Sequence, residues 1–238
     1  MNNIEFIDYI KTQEAFQKLL EEYNPPLVYL GGSRANGCYL EDSDWDLIAI
    51  VDEAMLDTVG CKNIRIDNDV CLPVHVMIIS IQHLIGLLTD NLKYIANLHI
   101  MMFFMSGFKA YSDLCVYSRK DDRIISLFQF IKHHSRAITE ICIYNFVERL
   151  NIQLNHICDT LELKLNGKIY YNLLTAYDIL YNDNSSSLIM SLRKKEKLTN
   201  IQIKELHIKM KQLQKFLTNY NDTKYDVFRS LLEVQIYG

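Results

Sequence analysis

The chain has 238 residues, 49% of them hydrophobic, which can bury a core in one large domain or two small ones and excludes a disordered chain. Its formal net charge is −4, which excludes a protein that is basic throughout and holds long duplexes by charge alone. Local contact with a nucleotide or an RNA end stays open. Six cysteines, at 38, 61, 71, 115, 142 and 158, form no Cys-x-x-Cys pair and no zinc spacing with the seven histidines. They are expected to be reduced thiols of an intracellular protein.

The first residues carry no signal-peptide pattern. The most apolar run, 95–108, is interrupted by Asn97 and His99 and is too short to span a bilayer. A cytoplasmic protein with no membrane partner is expected.

Helix breakers divide the chain. All three prolines and six of the eight glycines precede residue 108. This predicts a mixed α/β front, residues 1–108, and an all-helical back, 109–238. In chain order, Ile7, Ile10, Phe16, Leu19 and Leu20 predict a helix over 4–22, ended by Pro25 and Pro26. Residues 27–30 read as a short buried strand. A Gly-Gly-Ser turn follows, with Ser33 capping a short helix from Arg34. Residues 45–51 read as a second strand, 53–59 as a helical turn, 63–66 as a short strand and 67–69 as a turn. The stretch 72–79, rich in Val and Ile, reads as a further strand. Ser80 caps a predicted helix to about residue 89, and an apolar helix covers 91–105.

Helices are expected over 121–164 (with one break allowed), 168–181 and 185–194. A capping box at Thr199 and Gln202 opens another to about Tyr220, and 222–236 closes the series.

The chemistry concentrates in one stretch. Gly31, Gly32 and Ser33 let backbone approach an anion. After ten intervening residues, Asp44 and Asp46 bracket Trp45 at a strand start. Alternate strand residues share a face, so the two carboxylates point together, with Ile48 and Ile50 following on their side. Paired carboxylates repel, and a hard divalent cation relieves that repulsion. A phosphate-approaching turn beside a metal-holding pair is minimal equipment for phosphoryl or nucleotidyl transfer.

Gly32-Ser33 followed by Asp44-x-Asp46 resembles the signature of the DNA polymerase β-like nucleotidyltransferase superfamily. More loosely, 74–84 and 167–176 are similar to a phage and bacterial branch of that superfamily associated with RNA repair. The resemblance implies an α+β protein: a small mixed-sheet nucleotidyltransferase domain followed by a helical domain, with the active site between them. It implies NTP as substrate and Mg²⁺ or Mn²⁺ held by Asp44 and Asp46. Gly31, Gly32 and Ser33 would hold the phosphates, helped by the following helix N-terminus, with Arg34 adding a charged contact. Lys168 would reach a phosphate or base from the helical side. The acceptor would be an RNA end, a protein hydroxyl or a small molecule such as an antibiotic, and the protein phage-encoded or bacterial.

One position departs from the family pattern. The third carboxylate expected on the neighbouring strand reads as His75. Three readings stand open: His75 as general base or metal ligand, which favours Mn²⁺ over Mg²⁺; Asp67 or Asp69 substituting from the preceding turn; or a nucleotide- or RNA-binding protein, regulatory or antitoxin-like, with weak or no catalysis.

Other residues carry weaker signals. Arg34 could pair with Glu41 or Asp42 instead of phosphate. Tyr170 and Tyr171 could stack a base, or simply pack with their hydroxyls at the surface. The basic run 193–197 could touch RNA phosphates, or form a solvated helix end. His133, His134 and His207 read as surface or interhelical residues. Arg149 and His156 lie about two helical turns apart, loosely resembling the pair of HEPN-type helical RNases.

Overall fold

The computed structural model describes residues 1–35, 37, 39–56, 61–67, 73–84, 114–133, 140, 143, 144, 146–148, 150–160 and 167–220. Asn2 starts the first helix, α1 (Asn3–Lys11). Its side chain accepts the Glu5 N–H, and the Glu5 carboxylate accepts the Asn2 N–H in return. The helix expected over 4–22 is in fact two. Gln13 is extended and opens α2 (Glu14–Tyr23), while the Thr12 hydroxyl donates to the Tyr9 carbonyl at 2.7 Å. Competing side-chain to backbone bonds of this kind end helices that apolar spacing alone would continue. Asn24 closes α2 at φ 43° ahead of the two prolines.

Five strands follow: β1 (Leu27–Gly31), β2 (Trp45–Val51), β3 (Cys61–Ile66), β4 (Val74–Ser80) and β5 (Cys115–Ser118). They form one sheet in the order β3-β4-β2-β1-β5. The β2–β4 pair is parallel and the other pairs are antiparallel. β5 was not foreseen. It has four residues, of which Val116 alone is buried, so its sequence carries almost no alternation. It also lies past residue 108, where the sequence places the change to helices. The helical turn expected after β2 is a short 3₁₀ segment, Glu53–Met55.

The sheet has two covered faces. Val28, Leu30, Trp45, Leu47, Ala49, Val51, Val74, Val76 and Ile78 pack against Phe6, Ile10, Phe16 and Leu19 of α1 and α2. Leu27, Tyr29, Ile48, Ile50 and Ile79 face the other way. There they join a core built by α4 (Asp122–His133), α5 (Asn151–Thr160), α6 (Gly167–Tyr181), α7 (Ser186–Arg193) and α8 (Asn200–Asn219). The protein is therefore α+β, a mixed sheet followed by helices. Ser80 caps the turn at 81–84 by accepting the His83 N–H at 3.0 Å, and the Thr199–Gln202 capping box forms as the sequence implies. The helices expected over 91–105 and 222–236 lie outside the described residues. No described helix is long and apolar enough to cross a membrane.

One polar cluster fixes the helical half. Lys209, 8% exposed, donates to Asp183 at 2.8 Å and Ser185 at 2.7 Å, and lies 3.3 Å from Glu205. Burial alone would lower its pKa, but the bonds to Asp183 and Glu205 outweigh that and raise it. This ties the turn between α6 and α7 to α8, and so sets the direction in which α7 leaves.

The stack of Phe6 on Trp45, centroids 3.8 Å apart and 5° from parallel, joins α1 to the start of β2. Phe6→Ala is expected to cost about 3–5 kcal/mol. Urea unfolding followed by fluorescence measures this cleanly, because Trp45 is the single tryptophan.

Candidate active site

The register of the sheet assembles the site. Gly31 lies opposite Asp46, Asp46 beside His75, and His75 opposite Arg65. These four residues form one row across β1, β2, β4 and β3. Directly opposed strand residues point to the same side. Asp46 shares its parity with Ile48 and Ile50, and His75 with Ile79, and those isoleucines pack into the helical core. The row therefore faces the helical half, beyond the edge of the core. His75 Nε2 lies 3.6 Å from Asp44 Oδ2, with the two side chains 48% and 51% exposed. So Asp44, Asp46 and His75 come together, and an imidazole stands beside Asp46 on the neighbouring strand.

The glycines are fitted to that row. Gly32 has φ +67°, and a Cβ there would lie 1.9 Å from Asp46 Oδ2. A Cβ at Gly31 would meet Ile48 Cδ1 at 3.1 Å. The turn thus rests directly on the Asp46 carboxylate, possible only without side chains. Ser33 is half-buried in α3 (Gly32–Ala35). α3 is a single turn that begins at Gly32, two residues earlier than the sequence places it. A helix this short has little aligned dipole, so the help expected from its N-terminus reduces to the turn's own N–H groups.

Arg34 is turned inward, toward the loop that precedes β2. It is 5% exposed and points away from solvent. Its Nε and one terminal nitrogen donate to the Ser43 carbonyl at 2.9 and 2.7 Å, and the same terminal nitrogen reaches the Glu41 carbonyl at 3.3 Å. The guanidinium stacks on Trp45 at 4.0 Å and lies 4.8 Å from Tyr39. It bonds backbone carbonyls, not the carboxylates of Glu41 or Asp42. Arg34 thus clasps the loop that delivers Asp44.

The structure brings two further cations to the site, of which Arg65 drew no reading from the sequence. Arg65 sits in the row beside His75 and holds Asp67 at 2.7 Å. That pair shows Asp67 bonded to Arg65 at the end of β3. Asp69 lies outside the described residues. Arg193, at the end of α7, donates to the Ser43 hydroxyl at 3.3 Å, across 150 positions of sequence. Its guanidinium also lies 5.2 Å from the Tyr171 ring. The helical half therefore touches the loop next to Asp44 through Arg193. The basic run was visible in the sequence; its partner was not.

Other expected residues fall elsewhere. The Lys168 side chain and Arg149 lie outside the described residues, so the HEPN-like pairing with His156 does too. Tyr170 is buried in the helical core, which is packing rather than stacking. Among the described residues, no group of three His, Cys, Asp or Glu side chains is arranged to hold a metal ion. Asp44 and Asp46 supply carboxylate oxygens, the donor type that a hard divalent cation takes.

No family model matches the chain, and no curated protein matches it. Among solved structures it is similar to a nucleotidyltransferase-like protein from Exiguobacterium sibiricum 255-15. Identity is 12%, the TM-score is 0.33, and the match covers 94% of this chain and 74% of that one. A likeness this distant assigns neither family nor activity.

Gly32 and Gly37 give a paired test. Both have positive φ, but a Cβ at Gly37 would meet nothing within 4 Å. Gly37→Ala is expected to cost only the left-handed backbone penalty, about 1–2 kcal/mol. Gly32→Ala is expected to cost more, because Asp46 must also move. Equal losses in urea unfolding would refute the packing of Asp46 on the turn.

Proposed function

We propose that this protein is a divalent-metal-dependent nucleotidyltransferase of the polymerase β-like kind, moving a nucleoside monophosphate from an NTP to an acceptor hydroxyl. The observation that carries this reading is the single row in which Gly31, Asp46 and His75 meet, with Asp44 beside His75. The signature spacing of Gly32-Ser33 and Asp44-x-Asp46 is its sequence counterpart.

The chain's own groups divide the work. N–H groups of the Gly31–Ser33 turn donate to the β- and γ-phosphate oxygens, which the bare glycines let approach. Asp44 and Asp46 hold Mg²⁺ or Mn²⁺, which when bound neutralises phosphate charge and orients the triphosphate. The acceptor oxygen attacks the α-phosphorus in line. The bond from the α-phosphorus to its bridging oxygen breaks, and pyrophosphate leaves. The His75 imidazole takes the hydroxyl proton, and the Asp44 carboxylate stabilises the imidazolium that forms. Arg65, one strand further, adds positive charge on the acceptor side. Catalysis is then mostly positioning and charge neutralisation. The phage and bacterial RNA-repair branch is the narrower form of this proposal.

One observation favours a second reading. The place beside Asp46 holds an imidazole and not a carboxylate. A protein that binds nucleotide without turning it over fits that substitution.

Incubation with α-labelled NTPs, Mg²⁺ or Mn²⁺ and an RNA pool separates the two. The first reading expects transferred label and pyrophosphate, lost at least about a hundredfold in Asp46→Ala. Retained activity in that variant would refute the assigned metal pair. No transfer with either metal, alongside saturable NTP binding, would leave the second reading. His75→Asp is expected to raise Mg²⁺-dependent turnover; unchanged turnover would place His75 outside the chemistry.

A further inference from the structure

The chain's charge is strongly segregated. Residues 193–215 hold eight lysines and arginines against two glutamates, a net of +6 within a total of −4, so the remainder carries −10. Of those eight, Lys209 is buried and bonded to Asp183, Ser185 and Glu205. The others lie partly or fully exposed.

Their placement is ordered. Arg193 ends α7 with its guanidinium on the Ser43 hydroxyl, one residue before Asp44. Gln202 Nε2 reaches Ser191 Oγ at 3.4 Å, which seats the start of α8 beside the end of α7. Along α8, Lys204, Lys211 and Lys215 are all exposed. Spacings of seven and four residues keep them within about 20° of one line, about 16 Å long. Among the described residues none of the three has an ion-pair partner. Lys211 and Lys215, four residues apart, are a like-charged pair that disfavours the helix by a few tenths of a kcal/mol.

The far end of the line has an aromatic pocket of about 500 Å³, lined by Lys215, Tyr181, Gln212, Phe216, Asn219 and Glu140, among others. Tyr181 is 44% exposed there and tilts against Tyr177 at 4.6 Å. A cationic track ending at an exposed ring beside amide groups is what binds a single-stranded polynucleotide: lysines follow the phosphates, and a ring and amides take a base.

A membrane surface would also meet cations, and Ile201 and Ile208 are exposed near the lysine line. It would not use a concave pocket lined by Gln212, Asn219 and Glu140.

We propose that the exposed lysine face of α8 is a binding track for a single-stranded nucleic acid, running from the Arg193 contact beside Asp44 to the Tyr181 pocket. This deepens the nucleotidyltransferase reading and rests on it for one point only: that the strand held by the track is the acceptor, its terminal hydroxyl presented at Asp44, Asp46 and His75.

The test is fluorescence anisotropy with a labelled single-stranded RNA of about 16 nucleotides. Three phosphate contacts predict an affinity that falls about twentyfold between about 50 and about 200 mM KCl. The combined Lys204→Gln, Lys211→Gln, Lys215→Gln variant is expected to bind at least tenfold more weakly at the lower salt, roughly the three contacts' share, with most of the salt dependence gone. Lys18→Gln on α2, far from the track in the fold, is expected to bind as wild type, and thermal melting checks that the triple variant is folded. Unchanged affinity or salt dependence in the triple variant overturns the track. So does binding to phosphatidylglycerol vesicles without binding to the RNA. Asp46→Ala separates this from the catalytic reading. RNA binding retained there, with no label transfer in the wild type, upholds the track and sinks the transferase. Label transfer in a triple variant that binds RNA as wild type does the reverse.

Discussion

The site depends on the parallel pairing of β2 with β4. That pairing sets Asp46 beside His75 and, through the antiparallel neighbours, lines up Gly31 and Arg65 in the same row. Strand side chains alternate with a period of two, so a slip of one residue would send Asp46 into the face packed by α1 and α2. Such a slip of β2 would also turn Trp45 and Leu47 out of the face they fill. The register is thus held by the hydrophobic effect on both sides of the sheet, each buried apolar side chain contributing about 1.5–3 kcal/mol. The polar row inherits its geometry from the apolar residues on either side of it.

Around that row the backbone is drawn in close. Gly32, at positive φ, lets the glycine turn rest on the Asp46 carboxylate. Arg34 holds the loop before β2 by its carbonyls, with its guanidinium sandwiched near Trp45 and Tyr39. A guanidinium suits this task because its planar fork meets two carbonyls while its face stacks on an aromatic ring. Asp44 therefore arrives at His75 from a loop that is clamped rather than free. The helical half meets the same loop through Arg193, whose position follows from the buried Lys209 cluster at the other end of α7.

Much of the front half was legible in the sequence, because local rules govern it. Strands β2 and β4 announce themselves by runs of Val and Ile. Ser80, Thr199 and Gln202 cap helices where their side chains say they should. The break at Gln13 was missed, although the buried faces of α1 (Phe6, Ile7, Ile10) and α2 (Phe16, Leu19, Tyr23) do not fall on one helical stripe. β5 was not legible either; a four-residue edge strand is made by its neighbour β1 and not by its own pattern. At the site, Asp44, Asp46 and His75 could be named, but the contact between Asp44 and His75 depends on strand pairing that residue spacing does not encode.

By itself the sequence determined the α+β class, the glycine turn and the paired carboxylates, because turn chemistry and strand alternation act over a few residues. The tertiary structure alone decided what Arg34, Arg65 and Arg193 do. A long cation's role depends on which acceptor it meets, and here those acceptors are set by the loop closing over β2, the register of β3 on β4, and a contact between residues 150 positions apart.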